Sequence, residues 1–181
     1  MSTFIYFAYG SNMLAERLVA RCSSARLLEI VVAVGHAVDF SKRGADGSGK
    51  AALVGRPGWV TYGVLFEIAL AERDVLDRHE GSGYQRVDDF RVWTLTGSQE
   101  VVASTYIARA SEPGLLPYDW YLQLIVAGCE QGRFPGTYTN GLRSRPFTTD
   151  PDPARRSARE ARSILARCGP ASGLEGARKR G

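Results

Sequence analysis

Tyr6-Phe7-Ala8-Tyr9-Gly10-Ser11-Asn12-Met13 opens as an aromatic strand and breaks off at Gly10. Gly10, Ser11 and Asn12 are residues that bend a backbone abruptly, so the stretch predicts a strand that turns straight into a helix. Amide N–H groups at such a turn point out of the strand end and favour an anion or a developing oxyanion. The same residues also build strand-to-helix turns with no ligand, so this stretch gains weight only from a partner elsewhere in the chain.

That partner is Leu76-Asp77-Arg78-His79-Glu80-Gly81-Ser82-Gly83-Tyr84. Residues 71–79 are good helix formers, and Gly81 supplies a stop just beyond them. Glu80 therefore closes the helix. Four residues back from Glu80 lies Leu76, and four back from His79 lies Val75, so the carboxylate projects from the apolar side of the helix. A carboxylate held near apolar groups and at the negative end of a helix should titrate above its ordinary range, which suits a proton shuttle near neutral pH. The alternative is a solvated helix-end glutamate, with His79 as a surface neighbour.

Outward from these two stretches the chain reads as one compact α+β unit. Strands are expected over 5–9, 27–41 with a break near Gly35, 50–56, 60–67, 84–94 and 101–107. Helices are expected over 13–22, 71–79 and 118–131, the last on the spacing of Leu122, Ile125 and Val126. Most successive strands lack a helical crossover, which predicts a mixed, largely antiparallel sheet rather than a doubly wound one. The expected division is a catalytic body over 1–148 and a basic tail over 149–181. Pro153 permits a loosely packed terminal helix over 154–166, and disorder is expected after Gly169.

Composition narrows the function classes. With 181 residues and 44% hydrophobic side chains, the chain can bury a full core unaided. Residues 1–150 carry 15 basic and 16 acidic side chains, whereas 151–181 carry 8 and 3, so the charge of +4 sits in the tail. A neutral body argues against a nucleic-acid fold built on a basic face, although Arg155, Arg156, Arg159 and Arg162 could touch a polyanion nonspecifically. No run approaches the ~18 apolar residues of a membrane helix. Cys22, Cys129 and Cys168 are widely spaced without a C-x-x-C, and no signal peptide is evident, so a reducing, cytoplasmic setting is expected.

Several chemistries find little support. Gly44 to Lys50 fits G-x-x-x-x-G-K, but Ala51 stands where a hydroxyl should hold Mg²⁺, and a strand rather than a helix follows. A hairpin loop bordering a pocket is the expectation. Two histidines, His36 and His79, with no suitably spaced Cys or carboxylate partners, argue against a metal site. Cys22 and Cys129 lie in helices and read as packing residues. Ser11 lacks a G-x-S-x-G setting and a histidine to activate it, so it is read as a hydrogen-bond donor to a ligand.

Taken in order, the motifs resemble the γ-glutamylcyclotransferases, those acting on γ-glutamyl amino acids. The resemblance runs from about Phe4 to about Phe147. It comprises Tyr6 to Asn12, Glu16-Arg17, Asp39-Phe40, Trp59 to Val64, Leu76-Asp77, Glu80-Gly81, Gly83-Tyr84, Tyr106, and Tyr121 with Ile125, Gly128 and Pro135. It implies that the sheet curls into a small barrel with flanking helices. It also implies an intramolecular acyl transfer, in which the α-amine of a γ-glutamyl group attacks its own γ-carbonyl and releases 5-oxoproline and an amine. The family's catalytic glutamate maps onto Glu80, and its substrate loop onto Tyr9, Gly10, Ser11 and Asn12. Tyr121 matches a pocket-lining tyrosine, with Tyr84 and Tyr106 as further candidates.

The loop amides would hold either the substrate carboxylate or the tetrahedral oxyanion, and the sequence leaves both open. No cofactor or metal is implied, and a monomer or homodimer is expected. Variants acting on γ-glutamylamines or on a γ-glutamyl-protected biosynthetic intermediate share these motifs. A noncatalytic ligand-binding or protein-binding module on the same scaffold is the reading from a different class.

Overall fold

The computed structural model describes residues 2–168. Five strands form a closed barrel in the order β1-β3-β2-β4-β5: β1 (Thr3–Ala8), β2 (Arg26–Arg43), β3 (Gly49–Ala69), β4 (Tyr84–Thr94) and β5 (Glu100–Ala108). Every pairing is antiparallel except β1 with β5, which meet at Tyr6 and Ser104 and close the barrel. Thr105 Oγ1 donates to the Phe7 carbonyl at 2.9 Å and reinforces that seam. The mixed, largely antiparallel sheet, and its curl into a barrel, are as the sequence and the resemblance led one to expect.

Among the described residues five α-helices flank it: α1 (Ala15–Val19), α2 (Arg73–Glu80), α3 (Asp119–Gln131), α4 (Gly136–Arg143) and α5 (Arg156–Arg167). Helix α3 packs against the turn after β1 and against α4 and α5. Its Leu122, Leu124, Ile125 and Val126 are fully buried, each stabilising the fold by roughly 1.5–3 kcal/mol.

Three local points of the sequence analysis need correction. The helix expected over 13–22 is a 3₁₀ turn over Ser11–Met13 followed by the five-residue α1. Leu14 between them is extended, because Met13 and Leu14 are pressed into the core beside Gly128 of α3. The strands expected over 50–56 and 60–67 are one strand, β3. Val34 pairs with Val60 and His36 with Gly55, so residues 56–59 bulge outward opposite Gly35, whose φ of +75° marks the break expected in β2. Helix α4 is absent from the sequence reading: Gly136, Thr137, Thr139 and Gly141 are poor helix formers. Tertiary contact overrides that propensity, with Leu142 buried and the Tyr138 ring 5.0 Å from Tyr62 and 6.0 Å from Phe134.

The segment after Thr148 is tied down at Asp150, which accepts from Trp120 Nε1 at 2.9 Å and pairs with Arg155 Nε at 2.9 Å. Helix α5 then lays the fully buried Ala158 and Ala161 against α3 and α1. It packs more closely than the loose terminal helix anticipated from its few large apolar residues. The disorder expected after Gly169 lies outside the described residues.

Candidate active site

The site forms where three elements end together: the turn after β1, the C-terminus of α2 and the start of β4. Helix α2 stops because Gly81 adopts φ +76° and ψ 174°, a backbone region open mainly to glycine. Leu76, one turn earlier, is fully buried, and this fixes the rotation of α2 so that Glu80 points inward. The Glu80 side chain is 14% exposed.

Glu80 Oε1 accepts from Asn12 Nδ2 at 2.7 Å and lies 3.7 Å from Arg21 Nη1. Asn12 is itself fixed on both sides, donating to the Tyr6 hydroxyl at 3.1 Å and accepting from Arg21 Nη1 at 3.0 Å. Burial pushes the Glu80 carboxyl above the ordinary carboxylate range, and the nearby Arg21 and Arg17 charges and the Asn12 hydrogen bond pull only partway back. The elevation anticipated for this carboxylate therefore has burial as its main cause.

A small recess of about 30 Å³ is lined by Tyr6, Tyr9, Gly10, Ser11, Asn12, Ala51, Glu80, Tyr84, Tyr106 and Tyr121. All eight residues singled out from the sequence are among these, and Tyr6 and Ala51 are additional. Ser11, Glu80, Tyr84 and Tyr121 also border a larger cleft of about 890 Å³ that opens outward. Glu80 thus stands where the recess meets the cleft.

The tyrosines form an ordered wall. Tyr84 Oη donates to the Ala51 carbonyl at 2.6 Å, and Tyr121 Oη accepts from the Ala51 amide at 3.1 Å. Tyr9 Oη donates to the Tyr106 carbonyl, and Tyr106 Oη donates to Asp77 Oδ1 at 2.6 Å. Burial raises the titration of all five phenols, helped by the negative charge of Glu80, so they remain protonated at neutral pH. Asp77 therefore acts on the site through Tyr106, while Asp39 caps the following amide of Phe40 at 2.8 Å and takes no part in the lining.

Gly10 is not in a left-handed conformation, its φ being −117°. Its lack of a side chain is explained by proximity: a Cβ there would meet Ala51 Cβ at 3.1 Å and Tyr121 Oη at 3.7 Å. The 3₁₀ turn closes with Met13 N donating to Gly10 O at 3.0 Å. The amides of Ser11 and Asn12 precede that bond and stay outside the hydrogen bonding of the turn itself.

The cleft is richer in cations than the sequence reading anticipated. Arg17 is buried, donates from Nε to Ser11 Oγ at 3.1 Å, and is brought down to about 10 by burial and by Arg21, so it is still charged at neutral pH. Its spacing of four from Arg21 is the signal that places both cations on one side of α1 and of the turn that continues it. Lys50 pairs with Asp46 at 2.7 Å and lies 4.7 Å from the Tyr121 ring and 4.8 Å from that of Trp120. The Gly44–Lys50 segment is the hairpin between β2 and β3, bordering the cleft, and no helix follows it. Helix α5 completes the wall with Arg155, Arg156, Ser157 and Glu160.

Other nucleophiles are poorly placed. Burial pushes the Cys22 thiol up to about 11 and raises Cys129 as well, and neither lines the recess or the cleft. Among the described residues no three His, Cys, Asp or Glu side chains gather as a metal site would require, and no helix is long and apolar enough to cross a membrane.

The profile of the AIG2-like family matches residues 60–142. The gamma-glutamylcyclotransferase of Homo sapiens is 29% identical over 149 residues, and that of Mus musculus 30% identical over 150, each match covering 78% of this chain and 78% of the relative. The solved structure of a gamma-glutamyl cyclotransferase superposes with a TM-score of 0.80, covering 92% of this chain and 99% of the other at 25% identity. Likeness sustained over this much of both chains, on the same closed barrel, shows that the protein belongs to the γ-glutamylcyclotransferase family.

Proposed function

We propose that the protein cyclises a γ-glutamyl substrate, releasing 5-oxoproline and the amine formerly in amide linkage, with Glu80 as the general acid and base. The observation that carries this reading is the inward-facing Glu80 carboxylate at the junction of recess and cleft, raised in pKa by burial and held by Asn12.

The substrate enters with its α-amine protonated. Glu80 in its carboxylate form accepts one ammonium proton, and the freed amine attacks the γ-carbonyl to close a five-membered ring. The tetrahedral intermediate then expels the amide nitrogen, which receives the proton back from Glu80. Glu80, a carboxylate again, takes the second surplus proton from the ring nitrogen and the departing amine gains it to leave as an ammonium, so two protons pass from the α-nitrogen to the leaving nitrogen and neither water nor a metal is a reactant. A carboxylate raised above its ordinary range is a stronger base for the first half and still an acid able to return the proton in the second.

The Ser11 and Asn12 amides, left outside the turn's own bonds, are suited to the developing oxyanion or to the substrate carboxylate. Arg17 and Arg21 supply positive charge on the same side. Because nucleophile and carbonyl share one molecule, the recess and the adjoining mouth of the cleft have mainly to hold the folded-back conformer, a contribution of ~7–11 kcal/mol in favourable intramolecular systems. The phenols of Tyr6, Tyr9, Tyr84, Tyr106 and Tyr121 are neutral donors and form a rigid wall for that purpose.

The test is a panel of γ-glutamyl amino acids and γ-glutamylamines with 5-oxoproline followed by mass spectrometry. Glu80→Gln should fold, bind, and lose roughly 10²-fold or more in turnover, the loss expected for a missing acid–base group. Turnover equal to wild type would remove Glu80 from the mechanism. Binding without product in the wild-type protein would favour a noncatalytic module.

A further inference from the structure

Seven cationic side chains border the outer cleft, and most are already neutralised by the protein. Arg21 stands near Glu80, and Lys50 is held by Asp46. Arg43 pairs with Glu112, Arg155 with Asp150, and Arg156 with Glu160. Among the described residues, Arg17 and Lys42 have no such carboxylate partner. Arg17 lies inside, bonded to Ser11, where the γ-glutamyl group is placed. Lys42 belongs to the outer part.

Lys42 is held in place without being neutralised. Its Nζ lies 4.8 Å from the centre of the Tyr84 ring, a cation–π contact that orients an ammonium but leaves its charge uncompensated. Its stem crosses directly over Gly83, where a Cβ would come within 2.5 Å of Lys42 Cε and 2.9 Å of Nζ. Gly83 is thus a groove for this lysine. Lys42 is paired with Lys50 across β2 and β3 and lines the same cleft as Glu80, Tyr84 and Tyr121, so the ammonium borders the space open to a departing amine. Of these two paired lysines Asp46 neutralises only Lys50, which leaves Lys42 free to take an anion.

We propose that Lys42, laid across Gly83 and against Tyr84, is the specificity-determining contact for a carboxylate on the amine that the reaction releases. This rests on the cyclotransferase reading above. A charge-assisted hydrogen bond of this kind corresponds to roughly 10- to 100-fold in relative kcat/KM. The preference falls on amines that carry an acid group, and neutral amines lack the contact.

The experiment compares γ-glutamylalanine with γ-glutamylalaninamide, which differ only in that carboxylate, on the full-length wild type, Lys42→Met and Gly83→Ala. Lys42 also lowers the titration of Glu80, but that influence changes turnover of both substrates alike. The ratio of the two kcat/KM values therefore isolates the direct contact. We expect the acid-over-amide ratio to fall by about tenfold or more in Lys42→Met. Gly83→Ala should reduce it in the same direction with little change in Tm, because the flexible end of Lys42 gives way.

An unchanged ratio in either variant overturns the assignment. If wild-type protein turns over neither compound, the cyclotransferase reading fails. Lys42 is then decided by calorimetric binding of the same pair: an acid preference lost in Lys42→Met supports it, and an equal preference in both proteins refutes it. Failure of both compounds to bind refutes both proposals.

Discussion

Gly128→Ala probes how the fold positions the site without touching it. A Cβ at residue 128 would stand 2.8 Å from Leu14 N and from Met13 Cβ, and 3.0 Å from the Met13 carbonyl carbon. Since ordinary contacts lie near 3.5–4.0 Å, helix α3 and the turn carrying Ser11 and Asn12 must part by roughly 0.5–1 Å. Overpacking of this kind costs about 1–3 kcal/mol, and the better helix propensity of alanine returns about 1 kcal/mol. The net loss is then about 0–2 kcal/mol, a fall in Tm of at most about 8 °C for a chain of this size. The same displacement moves Asn12 relative to Glu80, now 2.7 Å apart, and misplacement on the order of 1 Å can cost about 100-fold in rate. We therefore expect kcat to drop roughly 10- to 100-fold in a protein that remains folded well above the assay temperature. The assay pairs thermal unfolding with 5-oxoproline formation at saturating substrate. Wild-type kcat together with an unchanged Tm would show that the turn and α3 are not coupled as described.

Two further outcomes follow from burial. Because the folded protein holds the Glu80 pKa above its unfolded value, both states keep the proton at low pH and stability is unaffected there; it falls as pH rises through and above the ordinary carboxylate range, where the unfolded chain ionises first. Glu80→Gln should accordingly match wild type near about pH 4 and exceed it in unfolding free energy near about pH 8, by about 1.4 kcal/mol for each unit by which the pKa is raised, as read by denaturant titration at the two pH values; a variant less stable than wild type at the higher pH would contradict the assignment. Leu76→Ala removes the fully buried side chain that sets the rotation of α2; we expect a loss of about 2–5 kcal/mol in denaturant titration, and a loss below about 0.5 kcal/mol would mean that α2 is not anchored there.

Much of the site was legible because it is local in sequence. Glu80 is marked by the Gly81 stop and by Leu76 one turn earlier, and the turn residues are contiguous with β1, so short windows suffice. The mixed, largely antiparallel sheet follows from the near absence of helical crossovers, whereas its curl into a barrel is implied only by the family resemblance. What escaped was non-local or carried by small residues. Ala158 and Ala161 bury α5 against its neighbours without any apolar bulk to announce it, so its part in the cleft wall was hidden. Lys42 gains its orientation from Gly83 and Tyr84, far away in sequence and near only once β2 lies beside the end of α2. Helix α4 defied its own propensities because Tyr62 and Phe134 give Tyr138 a packing site. In the sequence Gly10 suggests conformational freedom, but the constraint is the neighbouring Ala51, which only the closed barrel brings near.

The central claim is that the γ-glutamyl carbonyl is attacked from within the substrate while Glu80 carries the proton. Turnover in water enriched in oxygen-18 tests it most directly. The account predicts a cyclic product, 5-oxoproline, containing no label from solvent, formed by wild type and suppressed in Glu80→Gln. Free glutamate carrying one solvent oxygen would show that water is the nucleophile and would contradict it.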